Sequence, residues 1–270
     1  MELATQPLSK SRNAYHWRLL TTALSFALFG LGGLCLRLFI FPLLALLPGD
    51  AFSHQRRARR TISRLFWAFI RFMAKAGVLT YQVEGAERLG RPGQMIIANH
   101  PSLIDVVFLI GLVRDANCVV KQSLWQNPFT RGPVRATGYV SNDGSAEMLE
   151  NAAGLLQTGQ TLIIFPEGTR TEPGKPPVFH RGAAAIALRG ATAITPVTIH
   201  VSPTTLTKAE PWYRIPQRRP HFHLRVGHDI DPAAFAALGS APVASRKLND
   251  HLHHHFIKEL ATDERSASGN

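Results

Sequence analysis

The chain is poor in cysteine: its 270 residues hold two, Cys35 and Cys118. A disulfide framework is thereby excluded, which fits a reducing compartment. Cys35 lies in an apolar run and Cys118 opens an apolar strand, so neither is placed for pairing. Acidic residues are also short, 18 against 30 Lys and Arg, for a net charge of +12. A surplus of that size draws an anionic partner: nucleic acid, an acidic bilayer or an acidic carrier protein. No nucleic-acid-binding module can be found, and a long apolar segment argues for the bilayer and the carrier instead, with nucleic acid excluded. There is no Gly-x-Ser-x-Gly elbow, which disfavours a serine nucleophile. Internal repeats are absent as well.

What is present begins with hydrophobicity, 45% of residues, enough to bury a sizeable core. From Leu19 to Leu36 the chain runs for 18 residues without charge; after Arg37 it continues from Leu38 to Leu47, broken by Pro42 and ended by Pro48-Gly49-Asp50. This length approaches what a bilayer crossing needs. It exceeds a signal core, and no small-x-small cleavage site follows. Residues 1–50 are therefore read as an N-terminal membrane anchor, against a buried soluble helix or a cleaved signal. Arg37 and Pro42 leave two geometries open, a spanning helix with an interfacial piece or a re-entrant hairpin. Residues 1–18 are expected to be loosely ordered.

Between Ala51 and Val83 stand seven basic residues (Arg56, Arg57, Arg59, Arg60, Arg64, Arg71 and Lys75) and no acidic one. Leu65, Phe66, Phe69, Ile70, Phe72 and Met73 accompany them, so 51–79 reads as a basic amphipathic helix lying on an anionic membrane surface. The alternative is a helix packed on the domain with a solvated basic face. This flank places the main domain on the cytoplasmic side, as in a bacterial inner membrane.

From Thr80 the pattern alternates. Strands are predicted at 80–84, 94–98, 117–121, 137–140, 161–165, 193–200 and 221–227. Helices are predicted near 103–113, 145–157, 181–189 and 243–261, with Asp143 or Ser145 as a start signal and Gly190 as a stop. The fold class is α/β, a mixed, largely parallel sheet with flanking helices, filling residues 80–261. Residues 203–220 carry four prolines and read as a long loop. The polar end, 262–270, reads as a flexible tail. His251, His253, His254 and His255 lie on the last helix without a companion Cys or carboxylate at ligand spacing, so no metal site is expected. Trp212, Tyr213, Arg214, Arg218 and Arg219 in the proline-rich loop suit a bilayer interface or an acidic carrier, and a plain packed loop equally well.

Two segments carry chemistry. Asn99-His100-Pro101-Ser102-Leu103-Ile104-Asp105 follows the apolar strand Met95-Ile96-Ile97-Ala98. On one helix a spacing of five turns His and Asp about 140° apart, so they meet only if His100 lies in the turn and Asp105 in the first helical turn. Pro101 suits that helix start. Asp105 would then fix one imidazole nitrogen, and the other would take a proton from an attacking hydroxyl. Alone the spacing means little, since the composition supplies about one such match by chance. The second segment is Phe165-Pro166-Glu167-Gly168-Thr169-Arg170, after the strand Leu162-Ile163-Ile164. It sets a Glu and an Arg at the end of a buried strand, where α/β sheets place ligand sites.

Together the two segments resemble the glycerolipid acyltransferase family, whose best-known members acylate lysophosphatidic acid. That family carries Asn-His-x4-Asp and then Phe-Pro-Glu-Gly-Thr-Arg in this order. Lys121 through Asn127-Pro128-Phe129 to Gly138, Phe179-x-Arg181-Gly182-Ala183 and Ile194-Thr195-Pro196-Val197 extend the likeness. The resemblance implies direct transfer: His100, oriented by Asp105, deprotonates the acceptor hydroxyl, which attacks the thioester of acyl-CoA or acyl carrier protein. Glu167, Gly168, Thr169 and Arg170 bind the acceptor. Asn99, Ser102, Lys121, Arg131, Arg135, Gly138 and Arg181 are further candidate contacts. Backbone N–H groups near Gly168 or after His100 would hold the oxyanion. No metal or tightly held cofactor is implied. One departure stands out: the family's second block ends in an arginine, whereas here it reads Gly138-Tyr139-Val140-Ser141-Asn142-Asp143-Gly144. Arg131 or Arg135 is the expected substitute. The acceptor is then 1-acyl-glycerol-3-phosphate or, given the departure, an aminoacyl lipid, a glycolipid or a polyene-type precursor. A thioester hydrolase and a silent scaffold that binds acyl carrier protein are the rivals.

Overall fold

The computed structural model describes residues 14–268 apart from 209, with 263–268 as backbone alone. Residues 1–13 and 269–270, parts of the expected loose ends, lie outside the described residues. The apolar run forms α1 (Tyr15–Cys35), which passes through a π-helical turn at Leu36–Ile40 into α2 (Phe41–Ala45). Pro42 lacks an N–H to donate back along the helix, and the widened turn accommodates it without a break. The chain therefore reverses at Leu46–Asp50, not at Arg37 or Pro42. The 31-residue helical stretch is long and apolar enough to cross a membrane.

Asp50 accepts a hydrogen bond from Ser53 N–H at 2.9 Å and starts α3 (Ala51–Lys75), which returns beside α1. The basic face expected on α3 is partly spent on the protein itself. Arg59 is buried, donating to Asp115, Asn117, the Thr137 carbonyl and Gln160 at 3.0–3.2 Å, while Arg56 and Arg60 also pair with Asp115. Arg64, Arg71 and Lys75 remain exposed.

The sheet comprises β1 (Thr80–Glu84), β2 (Gln94–Ala98), β3 (Asn117–Lys121), β4 (Val140–Asn142), β5 (Leu162–Ile164), β6 (Ala193–Ser202) and β7 (His221–Val226). Its order is β1-β7-β6-β2-β5-β3-β4. From β6 to β4 all neighbours are parallel, and the β6–β7 pair is antiparallel. β2 and β5 are apolar on both sides and lie in the middle, covered on each face. On one face lie α1, α3 and α4 (Asp105–Leu112); on the other lie α6 (Ala146–Gln157), α7 (Gly182–Gly190) and α9 (Ala241–Ser268). Ser145, not Asp143, caps α6, its Oγ accepting from Met148 N–H at 3.0 Å.

Three boundaries differ from the sequence reading. The strand expected at 137–140 begins at Val140, because a short α5 (Arg131–Thr137) runs up to Gly138, whose φ of 68° ends it in the left-handed region. A five-residue α8 (Pro232–Ala236) precedes α9. The expected tail is helical to Ser268, since it continues α9 and holds no glycine or proline before Gly269.

Candidate active site

In the parallel part of the sheet the strands end on one edge, which gathers Ala98, Lys121, Asn142 and Ile164 together with the turns that follow them. His100 stands in the turn after β2 and Asp105 opens α4, so the two meet across that turn. His100 Nδ1 lies 2.9 Å from Asp105 Oδ2, and the same oxygen accepts from Ser102 N–H at 2.7 Å. Asp105 is fully buried, and burial pushes its carboxyl above the usual carboxylate range, against the pull of the His100 hydrogen bond. With Nδ1 held by the carboxylate, Nε2 is the nitrogen left to accept a proton.

The second segment wraps the first. Glu167 Oε1 accepts from His100 N–H at 2.8 Å, and Thr171 N–H donates to the His100 carbonyl at 3.0 Å. Phe165 stacks on the imidazole with ring centroids 4.4 Å apart. Both backbone groups and one ring face of His100 are thus set by the turn after β5. Glu167 is 4% exposed, and burial raises its carboxyl to about 7. Its Oε2 is buried without a partner.

The other candidates divide. Asn99 is spent on the fold: its side chain donates to the Ile199 carbonyl and accepts from Ile199 N–H, extending the β2–β6 ladder by one step. Arg170 Nη1 donates to the carbonyls of Leu206 and Thr207 at 2.9 and 2.8 Å, so it pins a loop at the site's rim. Gly168 and Thr169 are exposed. Gly168, in the left-handed region, faces His180 and Asn142. Lys121 pairs in register with Asn142 on the site edge, and Arg181 starts α7 next to His180, whose N–H donates to the Pro166 carbonyl. Arg131 opens α5 and Arg135 lies in its last turn, which leads to the far end of β4. Gly138 is at that far end too, packed against Gln55. The expected oxyanion donors are engaged as well: Ser102 N–H on Asp105, Leu103 N–H on the Leu206 carbonyl and Gly168 N–H on the Phe165 carbonyl.

Sequence reasoning missed two parts. Leu206, with φ of 52°, is buried and unites the first segment, Arg170 and the proline-rich loop through its one carbonyl. A non-glycine residue in that region is a marker of a constrained site, visible in backbone angles and not in residue type. The second is an apolar cavity of about 440 Å³ between α1, α3, α4 and the segment 120–139. Its walls include Phe26, Phe29, Phe66, Phe69, Val107 and Phe129, and Leu103, Ile104 and Leu206 carry it to the site. Gly33 lets α1 close this cavity, because a Cβ there would lie 2.6 Å from the Phe129 carbonyl oxygen. Among the described residues no group of three or more His, Cys, Asp or Glu could hold a metal ion; His253 instead bonds the Pro177 carbonyl.

A family model named Acyltransferase matches residues 80–200. A 1-acyl-sn-glycerol-3-phosphate acyltransferase of Chlamydomonas reinhardtii is 27% identical over 156 residues, 55% of this chain and 46% of the relative. Proteins of the same name from Borreliella burgdorferi and Pseudomonas aeruginosa are 30% and 26% identical over 125 residues, 44% of this chain in each case and 50% and 49% of theirs. The chain thus spans half or less of the length of these curated relatives. The crystal structure of the 1-acyl-sn-glycerophosphate (LPA) acyltransferase PlsC from Thermotoga maritima superposes with a TM-score of 0.67 at 21% identity, covering 90% of this chain and 98% of that one, a likeness of fold. Residues 80–200, which hold both the His100–Asp105 pair and the turn that wraps it, are the part of the chain that matches the Acyltransferase family model.

Proposed function

We propose that the chain is an O-acyltransferase that moves a fatty acyl group from acyl-CoA or acyl carrier protein to the free hydroxyl of a lysophospholipid, 1-acyl-glycerol-3-phosphate. The observation that carries this is a His–Asp pair beside an apolar cavity. His100 Nε2 takes the hydroxyl proton as the oxygen attacks the thioester carbonyl carbon. An O–C bond forms, the C–S bond breaks, and the proton passes from Nε2 to the leaving thiolate. Asp105 holds the imidazole in the tautomer this needs. The cavity takes the acyl chain. At about 30 Å³ per water it has the room of roughly fifteen waters, and so of a long chain. The chemistry needs no further cofactor. The helix 15–45 and the exposed basic residues of α3 hold the domain on the cytoplasmic face of a membrane.

A second acceptor class has its own support. The turn beside Gly168 presents Asn142 and His180, Gly144 stands at the position of the second block's arginine, and one nitrogen of Arg170 is committed to two carbonyls. These features suit a less anionic lipid head group.

The test is transfer from labelled acyl-CoA and acyl carrier protein to lysophosphatidic acid and other lyso-lipids by purified protein in detergent. His100→Ala should cut product by about 10²–10⁴-fold. Retained activity would remove His100 as the base. Product only from other lyso-lipids would favour the second acceptor class, and free fatty acid without acceptor would mark a hydrolase.

A further inference from the structure

The turn that wraps His100 carries a polar niche on its open side. Gly168 is exposed, with φ of 65° and no side chain to fill the space beside it. The point that a Cβ would occupy there lies 3.7 Å from Asn142 Nδ2 and 3.9 Å from His180 Nε2, so two nitrogens converge on one spot. Asn142 ends β4 and shares a sheet face with Lys121, its partner in register. His180 is placed by its backbone: its N–H donates to the Pro166 carbonyl at 2.8 Å, and the preceding Phe179 is buried against His253 and Phe256. Both side chains are exposed, and neither makes a hydrogen bond among the described residues. The niche is a short step from the chemistry. Glu167, which precedes Gly168, accepts from His100 N–H, and Thr171, three residues on, donates to the His100 carbonyl. Arg170 lies on the same turn, near enough to Asp105 for its charge to pull that carboxyl down.

We infer that His180 and Asn142 bind the hydroxyls of a polyol carried on the acceptor's phosphate, so that the acceptors include a lysophospholipid diester with a glycerol- or inositol-like head group. The inference rests on the acyltransferase reading above and names the head group of its second acceptor class. An amide N–H donates to one hydroxyl oxygen, and an imidazole nitrogen accepts from or donates to another. Arg170, together with the exposed Lys121 and Arg181 that flank the niche, supplies positive charge for the phosphate itself. A diester carries one negative charge where a monoester carries nearly two, which agrees with Gly144 standing at an arginine position.

The test is competition, in detergent and with one acyl-CoA, between two 1-acyl lysophospholipids of the same chain length, one ending in phosphoglycerol and the other in phosphomethanol. They match in charge and differ in the hydroxyls. The readout is the ratio of the two kcat/KM values for acylation of the backbone glycerol hydroxyl, in which a general loss of activity cancels. Wild type should favour the phosphoglycerol lipid about tenfold, and His180→Ala and Asn142→Ala should each lower that ratio about fivefold, the effect of one hydrogen bond. A wild-type ratio of one or below overturns the inference, and so does a preference that both variants leave unchanged. Transfer to the phosphomethanol lipid or to lysophosphatidic acid in the same assay then keeps the acyltransferase reading intact. Should one variant fail to fold, the wild-type ratio and the other variant decide. Transfer to none of the three lipids overturns both.

Discussion

At the scale of single residues, His100 is held by contacts that do not involve its own chemistry. Its N–H, its carbonyl and one ring face are fixed by Glu167, Thr171 and Phe165, which leaves the imidazole little freedom but its proton. Glu167 is the costly member. Its carboxyl would titrate near 4.5 in the unfolded chain and titrates at about 7 when buried. The charged form is thus disfavoured by folding, so this stability is full below 4.5 and lost as pH rises through about 7. Glu167→Gln keeps an oxygen for His100 N–H and removes the titration. Thermal melts should show the variant and wild type alike at pH 4, and the variant more stable at pH 8 by up to about 3 kcal/mol. A difference of the same size at both pH values would mean that packing, not charge, sets the effect. The pairing of His100 with Asp105 was legible only from the two segments taken together, since the spacing alone arises about once by chance in this composition. The partners of Arg170 were not, because the Leu206 and Thr207 carbonyls have no signature in residue type.

Elements were legible to the extent that their own residues decide them. β2 and β5 are short runs apolar on both sides, and a strand buried in a parallel sheet has no other pattern. α5 was missed because Gly132, Pro133 and Thr137 speak against a helix; it forms where the chain must return from β3 to β4 under α3. α3 read as a membrane-surface helix because its charges dominate its composition. The structure turns one of them inward, where Arg59 joins the bottom of the sheet to the helix through four partners. Arg59→Ala should therefore cost about 3 kcal/mol or more, since it strands buried polar groups. Arg60→Ala, which loses a partly exposed pair, should cost under about 1 kcal/mol. Equal losses in thermal melts of the two variants would show that Arg59 is no keystone.

Over the whole molecule, the N-terminal helix is long and apolar enough to cross a membrane and is also a wall of the cavity. Its outward leucines, among them Leu20, Leu24, Leu28 and Leu31, are exposed, and its inner face closes the cavity. Removing residues 1–50 should weaken membrane binding in vesicle flotation without abolishing it, because Arg64, Arg71 and Lys75 remain. Transfer should fall even in detergent, because one side of the cavity goes with the helix. Full activity in the truncated protein would exclude α1 from the acyl site. The helix is anchored through a distant stretch of sequence: Arg18 donates to the carbonyls of Pro216, Gln217 and Arg218, Trp212 packs near Phe26, and the same loop supplies the carbonyls that bind Arg170. The N-terminal helix is for that reason not an interchangeable module. A chimera that imports another protein's first fifty residues would inherit a loop shaped for a different guest, whereas one that imports residues 203–220 with them carries the socket along with the plug.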